Sequence, residues 1–334
     1  MTTTGDNQSP MSLTLRLDPW TPTYESAVQL DEDDGASPGD VDPFVEETEW
    51  RPMMPKFVDR PRSIAFIDGV QRVEMRVIGD NEGKMVYGAF ASAAVGAVFV
   101  REGGCTVEGE MPMRVLALSD GESHPPISIP CGQSVLEFVS RSTHETAAAN
   151  GLMAAQIAVQ NVRRDAEIRL GEALDEAGHE MVVVDGRLNW QPKRKAMVIG
   201  LVKTIHKRYL EPAQAAVIGK LPPKMRTPLF RIGRDRAVYS WYLRLTQQRP
   251  IDHPWAGVVR VETLEAIGIE AAVRLADLTA CHLPAFASSS MHDARAPQNL
   301  YPIGGLETQL RHTLGDHDWI RRHIEMHFAQ EYAA

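Results

Sequence analysis

Apolar and polar residues alternate through Leu13-Thr-Leu-Arg-Leu-Asp-Pro-Trp20, which predicts a short strand ending in a Pro-Trp turn. Residues 64–67 (Ile-Ala-Phe-Ile) form a brief apolar run flanked by charge, and they read as a buried strand. The β pattern continues over 72–78 and 85–100, with Asp80-Asn-Glu-Gly83 as a turn, so three consecutive antiparallel strands are expected. Residues 101–135, broken by Gly and Pro, read as irregular apart from one strand at 113–118. A proline-free stretch dense in Ala, Leu, Glu and Arg predicts a long helix over 145–176. Leu152, Ile157, Val162, Ile168 and Leu174 trace its apolar face, and Gly178 is its stop. Strands are then expected at 181–184 and 196–201, followed by a loop or helix at 203–209. Further strands fall at 227–232, 237–245 and 255–262, and helices at 267–282, 306–314 and 319–332. Strands first and a mixture afterwards describe a mixed α/β domain, not a strict βαβ alternation.

Two of these apolar runs end on the same dipeptide. In Arg62-Ser-Ile-Ala-Phe-Ile-Asp-Gly-Val-Gln-Arg72 the run meets Asp68-Gly69, and in Glu180-Met-Val-Val-Val-Asp-Gly-Arg187 it meets Asp185-Gly186. One Asp-Gly after a strand is ordinarily a turn. Two of them, with an acidic helix between, also describe carboxylates at one sheet rim. Glu172 lies in the last turns of that helix, thirteen residues before Asp185, and Glu167 is the reserve candidate. Oxygen ligands of this kind suit Mg²⁺ or Mn²⁺. Two such ions about 3.5–4 Å apart can activate water and stabilise the leaving oxygen in phosphodiester cleavage. Lys203, directly after a strand, and Arg72, four residues past Asp68, are candidate phosphate contacts. Lys193, Arg194, Lys195, Lys207 and Arg208 make the densest positive region and are candidate contacts to a nucleic-acid backbone.

Composition narrows the classes. The 334 residues are 43% hydrophobic and 24% charged, as in globular proteins, and suffice for one large domain or two ordinary ones. The net charge of −9 gives no whole-molecule attraction to DNA or an acidic membrane, so DNA would be met by a local patch or with a partner's help. Three widely spaced cysteines form neither a disulfide framework nor a zinc knuckle, which fits a reducing cytoplasm. No export signal is visible, and the apolar window at 85–100 is too short to span a bilayer comfortably. Acidic clusters within 31–49 read as a solvated linker or as a segment docking on a basic partner. Residues 1–50 are thus an N-terminal extension, and 51–334 the main domain.

Several familiar chemistries are excluded. Gly79-Asp-Asn-Glu-Gly-Lys84 is one residue short of a phosphate loop and lacks the following Ser or Thr. There is no Gly-x-Ser-x-Gly elbow. His323-Ile-Glu-Met-His327 is not the zinc-protease order and reads as part of an exposed terminal helix.

The Phe-Ile-Asp-Gly-Val-Gln-Arg opening, the Val-Val-Val-Asp-Gly-Arg-Leu strand and Gly200-Leu-Val-Lys-Thr-Ile-His-Lys-Arg-Tyr209 together resemble the NurA nuclease family. So do His253-Pro-Trp with Val259-Arg-Val-Glu262, and Asn299-Leu-Tyr-Pro-Ile-Gly-Gly-Leu-Glu307. The five segments follow the family's order across roughly residues 60–315, and the specificity lies in the series. The resemblance implies an RNase H-like core, a mixed sheet flanked by helices. It implies Mn²⁺-dependent DNA cleavage (Mg²⁺ being possible), with 5′-to-3′ exonuclease and single-strand endonuclease activity. A homodimer working with a hexameric HerA-type translocase at DNA ends is implied too. Asp68 and Asp185 match the family's two Asp-Gly metal ligands, and Glu172 is placed as the helical glutamate by spacing. Family members often carry a histidine soon after the Tyr-Pro pair, whereas here His312 comes late. The expectation is a DNA nuclease with Asp68, Asp185 and Glu172 as ligands and Lys203 at the phosphate. Its rivals are a catalytically silent scaffold that binds the translocase ring, and a metal-dependent phosphoesterase in defence against foreign DNA.

Overall fold

The structure, a computed structural model, describes residues 13–17, 40–109, 112–144, 151–188, 190, 192, 197–203, 209–234, 236–289 and 298–331. Strands are β1 (Thr14–Leu17), β2 (Val41–Asp42), β3 (Ser63–Asn81), β4 (Lys84–Arg101), β5 (Gly104–Gly109), β6 (Met113–Leu118), β7 (Ile127–Cys131) and β8 (Ser134–Ser142). After helix α1 (Gly151–Glu176) come β9 (Met181–Asp185), β10 (Met197–Val202), helix α2 (Pro212–Gly219), β11 (Phe230–Ile232), β12 (Val238–Arg244) and β13 (Val258–Leu264). Helices α3 (Ile269–His282), α4 (Tyr301–Thr313) and α5 (His317–Glu331) follow. The strands form one mixed sheet in the order β2-β11-β12-β13-β10-β9-β3-β4-β6-β8-β7, with β1 also on β3 and β5 also on β4.

Where three antiparallel strands were expected, two long ones form a single hairpin, with β3 and β4 paired from Ser63↔Arg101 to Asn81↔Lys84. The sequence alternation breaks because Glu74 is an extra residue, a bulge between Val73 and Met75. Buried Ile64, Phe66 and Val70 fall on even positions, buried Met75 and Val77 on odd ones, although one strand carries them all. Glu82 and Gly83, both at positive φ (53° and 83°), close the hairpin. The strands at 104–109, 127–131 and 134–142 replace the expected irregular stretch. All six residues of β5 are exposed, and an edge strand with no buried face leaves no apolar alternation to read.

Strands β3, β9 and β10 run parallel at the centre, with Ile64↔Met181 and Ile67↔Val184 setting one register and Met181↔Met197 the other. One face of this unit packs Ile64, Phe66, Met181, Val183, Ile199 and Leu201 against α3 and α4. The opposite face packs Ala65, Ile67, Val182, Val184 and Val198 against Ala166 and Leu174 of α1. Helix α1 presents small residues where the sequence marked large ones. Ala154, Ala155, Ala158 and Ala166 are buried, whereas of the five positions traced as its apolar face only Leu174 is. Alanines let the helix axis approach the sheet closely. The helix ends in a glycine stop, with Gly178 at φ 81° and His179 N–H donating to the Leu174 carbonyl at 3.2 Å.

Both described parts of the N-terminal 50 residues are built into the sheet, β1 against β3 and β2 against β11. Of the acidic stretch 31–49, the part before residue 40 lies outside the described residues, while Glu46 receives both terminal nitrogens of Arg226 at 2.8 Å. Arg226 Nε donates to Asp277 of α3, also at 2.8 Å. Burial alone would lower this guanidinium, but the Glu46 and Asp277 carboxylates more than offset it and hold it above its usual value. Arg226→Met would strand two buried carboxylates, and removal of one partner from such a cluster typically costs about 3–5 kcal/mol. We expect a loss of that size in urea unfolding; a change under about 1 kcal/mol would contradict it.

A second buried charge centre holds the C-terminal helices. Glu74, fully buried, accepts from Arg72 Nη2 at 2.9 Å and from Ser92, lies 3.6 Å from Arg114 Nη1, and has His317 Nδ1 at 2.7 Å. Arg72 and Arg114 also donate to the carbonyls of Gly315 and Leu314, at 3.0 and 2.9 Å. The turn between α4 and α5 is thereby fixed to β3, β4 and β6.

Candidate active site at the sheet rim

The parallel register that pairs Ile67 with Val184 brings Asp68 beside Asp185, on the face shared with Phe66 and Val183. Lys203 follows Ile199 and Leu201 by the same two-residue period. Asp68, Asp185 and Lys203 therefore rise together at the carboxyl ends of the parallel segments, the rim where ligands of open α/β sheets collect. Asp185 does end its strand, and Gly186, at φ 101°, turns the chain away. Asp68 does not. Strand β3 runs on through Gly69, which stays paired with Val95.

Gly69 is there for space. A Cβ at this position would run into Glu167 Oε1 and stand 3.0 Å from Arg163 Cγ. The α1 carboxylate thus lies against the backbone next to Asp68, held by an ion pair with Arg163 one helical turn earlier. Arg163 is itself braced by Gln71 Oε1 at 3.2 Å.

Asp68 is 7% exposed and accepts the Gly69 N–H on Oδ1 at 2.8 Å. Burial, above all, pushes its carboxyl well above the usual carboxylate range. The negative charges of Asp185 and Glu167 push the same way, against a smaller pull from Lys203 and the Gly69 hydrogen bond. Lys203 Nζ donates to Asp185 Oδ2 at 2.7 Å and to Asn299 Oδ1 at 2.6 Å. Asn299, fully buried just before α4, also accepts the Leu300 N–H on that oxygen at 3.0 Å. Its acceptor is therefore fixed before the lysine arrives.

The other sequence candidates sort as follows. Glu172 is half-buried on α1, and Glu167, the reserve, is among the charges that act most strongly on Asp68. Arg72 is committed to Glu74 and the Gly315 carbonyl. Lys193, Arg194, Lys195, Lys207 and Arg208 lie outside the described residues. Asn299 went without a role in the sequence reading; its one signal is its place at the head of the Asn-Leu-Tyr-Pro run.

Asp185 and Glu167 act on the buried Asp68, which makes three carboxylates, a donor type that suits a hard divalent cation; Glu167 comes from the α1 side and the two aspartates from the other face of the sheet. Among the described residues, no three such side chains converge on one point as they stand. Lys203 and Arg163 supply the positive charge instead. Beside Lys203 opens a cleft of about 630 Å³ that extends past Trp255 to Gln298. Among the described residues, no helix is long and apolar enough to cross a membrane.

No protein-family model matches the chain, and no curated protein is similar to it in sequence. Among solved structures, the chain is similar to the NurA nuclease from Sulfolobus solfataricus, with a TM-score of 0.43 and 10% identity over 79% of this chain and 84% of that one. An overlap that loose carries no argument about activity, which must come from the residues themselves.

Proposed function

We propose that the chain is a divalent-metal-dependent DNA nuclease with an RNase H-like core, acting at DNA ends as a homodimer with a HerA-type translocase in the cytoplasm. The observation that carries this reading is the grouping of Asp68, Asp185 and Glu167 about one rim with Lys203. The ordered series of five sequence segments supports the DNA substrate and the partner.

Asp68, Asp185 and Glu167 would hold Mn²⁺, or Mg²⁺ less favourably. A divalent ion there supplies positive charge to promote attack by water and to neutralise the departing oxygen. The chain's own contribution is positioning. Lys203 has three donors; Asp185 and Asn299 take two, and a phosphate oxygen would accept from the third. Asn299 keeps that ammonium from swinging into solvent.

Incubating the wild type with Mn²⁺, its cognate translocase and end-labelled DNA tests the reading. Release of nucleotides that stops with Asp68→Ala is expected, and a wild type that degrades no DNA overturns the reading. Outer contacts of such sites typically cost about 10–100-fold when removed. Asn299→Ala should fall in that range, while Asn299→Asp, which keeps the acceptor oxygen, should retain most of the cleavage rate.

A further inference from the structure

The cleft beside Lys203 has walls unlike those of the rim. Pro212, Pro254, Trp255 and Val258 line it with flat or rigid apolar surface, and Lys203, His253 and Gln298 add polar groups to its wall. Two of these polar residues adjoin the rim, since Lys203 grips both Asp185 and Asn299, and Gln298 precedes Asn299. The indole of Trp255 is half-buried, braced edge-on by Tyr242 with ring centres 5.9 Å apart. Burial pushes the Tyr242 phenol up to about 12, and behind the indole the buried guanidinium of Arg244 donates to the Pro254 and Ala256 carbonyls at 2.6 Å each, so the charge fixed on that wall is positive. Gly219 packs closely against Pro254 and Trp255, since a Cβ there would stand a tight 3.3 Å from the proline and 3.7 Å from the indole.

Such a cleft suits a flat ring with polar edges whose attached group is anionic. At about 630 Å³ it is of the size that holds one small molecule. Stacking on an indole is indifferent to base identity because every base has a π face. The ammonium at the mouth fixes which end of the guest faces the carboxylates.

We propose that this cleft is a base subsite, in which one unpaired nucleobase next to the scissile phosphate stacks on Trp255 while Lys203 meets the phosphate. The proposal rests on the nuclease reading for the identity of the strand, and on the cleft alone for the ring. Trp255 is then a binding residue that selects unpaired nucleotides, and it takes no part in bond breaking.

The test compares hexathymidylate with an abasic hexamer of the same phosphate backbone, by fluorescence anisotropy on the full chain without divalent metal. Loss of one aromatic platform is worth roughly ten-fold in affinity. Wild type should prefer hexathymidylate by about that factor, Trp255→Ala should abolish the preference while binding the abasic strand as before, and Trp255→Phe should keep most of it. Equal binding of hexathymidylate by wild type and Trp255→Ala overturns the subsite, as does an equal loss on both strands. Thymidine 5′-monophosphate that binds as tightly as the hexamer would assign the cleft to a free nucleotide and overturn its role on a strand. Cleavage of the same hexamer with Mn²⁺ is scored separately. A wild type that discriminates through Trp255 yet cuts nothing keeps the subsite and ends the nuclease reading; one that cuts, with Trp255→Ala binding normally, does the reverse.

Discussion

Asp68→Asn is expected to give a protein that melts higher than wild type at pH 8 and cleaves nothing. The amide keeps the shape of the carboxyl and an oxygen for the Gly69 N–H, but it removes a charge held in burial beside Asp185 and Glu167. An acid whose folded pKa is raised binds its proton more tightly in the folded chain. The ionisation penalty is therefore absent below the unfolded value and grows as pH rises, until the folded pKa is passed. The gap in melting temperature between variant and wild type should accordingly close toward pH 4. Thermal unfolding by circular dichroism in a chelator measures it, and coincident midpoints at pH 8 would contradict the expectation. Mn²⁺ provides an independent readout. A ligand at 100 times its Kd stabilises by about 2.7 kcal/mol, so saturating Mn²⁺ should raise the midpoint of wild type and leave that of Asp68→Asn unmoved. Should both shift alike, the cation binds elsewhere.

Glu167→Gln should lower cleavage by more than about 100-fold, since outer contacts alone account for 10–100-fold at metal sites. Glu172→Gln should stay within about two-fold of wild type, because surface changes away from a site rarely matter. Five residues turn a helix through 500°, so the two side chains leave α1 roughly 140° apart and only one can face the rim. Gly69→Ala gives a third variant, one that replaces no carboxylate. Its methyl meets Glu167 Oε1 and must displace it, so activity should fall as for Glu167→Gln, at an overpacking cost of about 1–3 kcal/mol. Initial rates on labelled single-stranded DNA with Mn²⁺ compare all three. A Glu172→Gln variant more damaged than Glu167→Gln would return the third ligand to the position chosen by spacing.

The difference between those two glutamates shows where sequence reading stopped. Asp68, Asp185 and Lys203 were legible because each directly follows an apolar run, and strand period fixes the face they share. The phase of α1 was not. Its buried side is mostly alanine and glycine, with Val159 and Leu174 the only larger apolar side chains on it, while Leu152, Ile157, Val162 and Ile168 are only half-buried. Gly69 was read as a turn because glycine serves tight turns and close approaches equally well, and only the neighbour, here Glu167, tells them apart. Asn299 acts through a contact across 96 positions of sequence, and no local pattern announces such a pairing. The order of strands and helices was legible over most of the chain; the edge strands β5 and β7 were not, nor was β8, in which only Phe138 is buried.

The bulge at Glu74 bears on how this chain can change length. Val73 already pairs with Ala91 and Met75 with Phe90, so deleting Glu74 would leave every other rung of the hairpin where it is, Asp68 opposite Gly96 included. A deletion at most other points of β3 would turn all residues on one side of it to the wrong face. What such a deletion would remove is the anion that gathers Arg72, Arg114 and His317 under the α4–α5 turn. The carboxylate rim and the anchorage of the C-terminal helix are thus separable: a single codon lost at this place would loosen α5 and spare the chemistry.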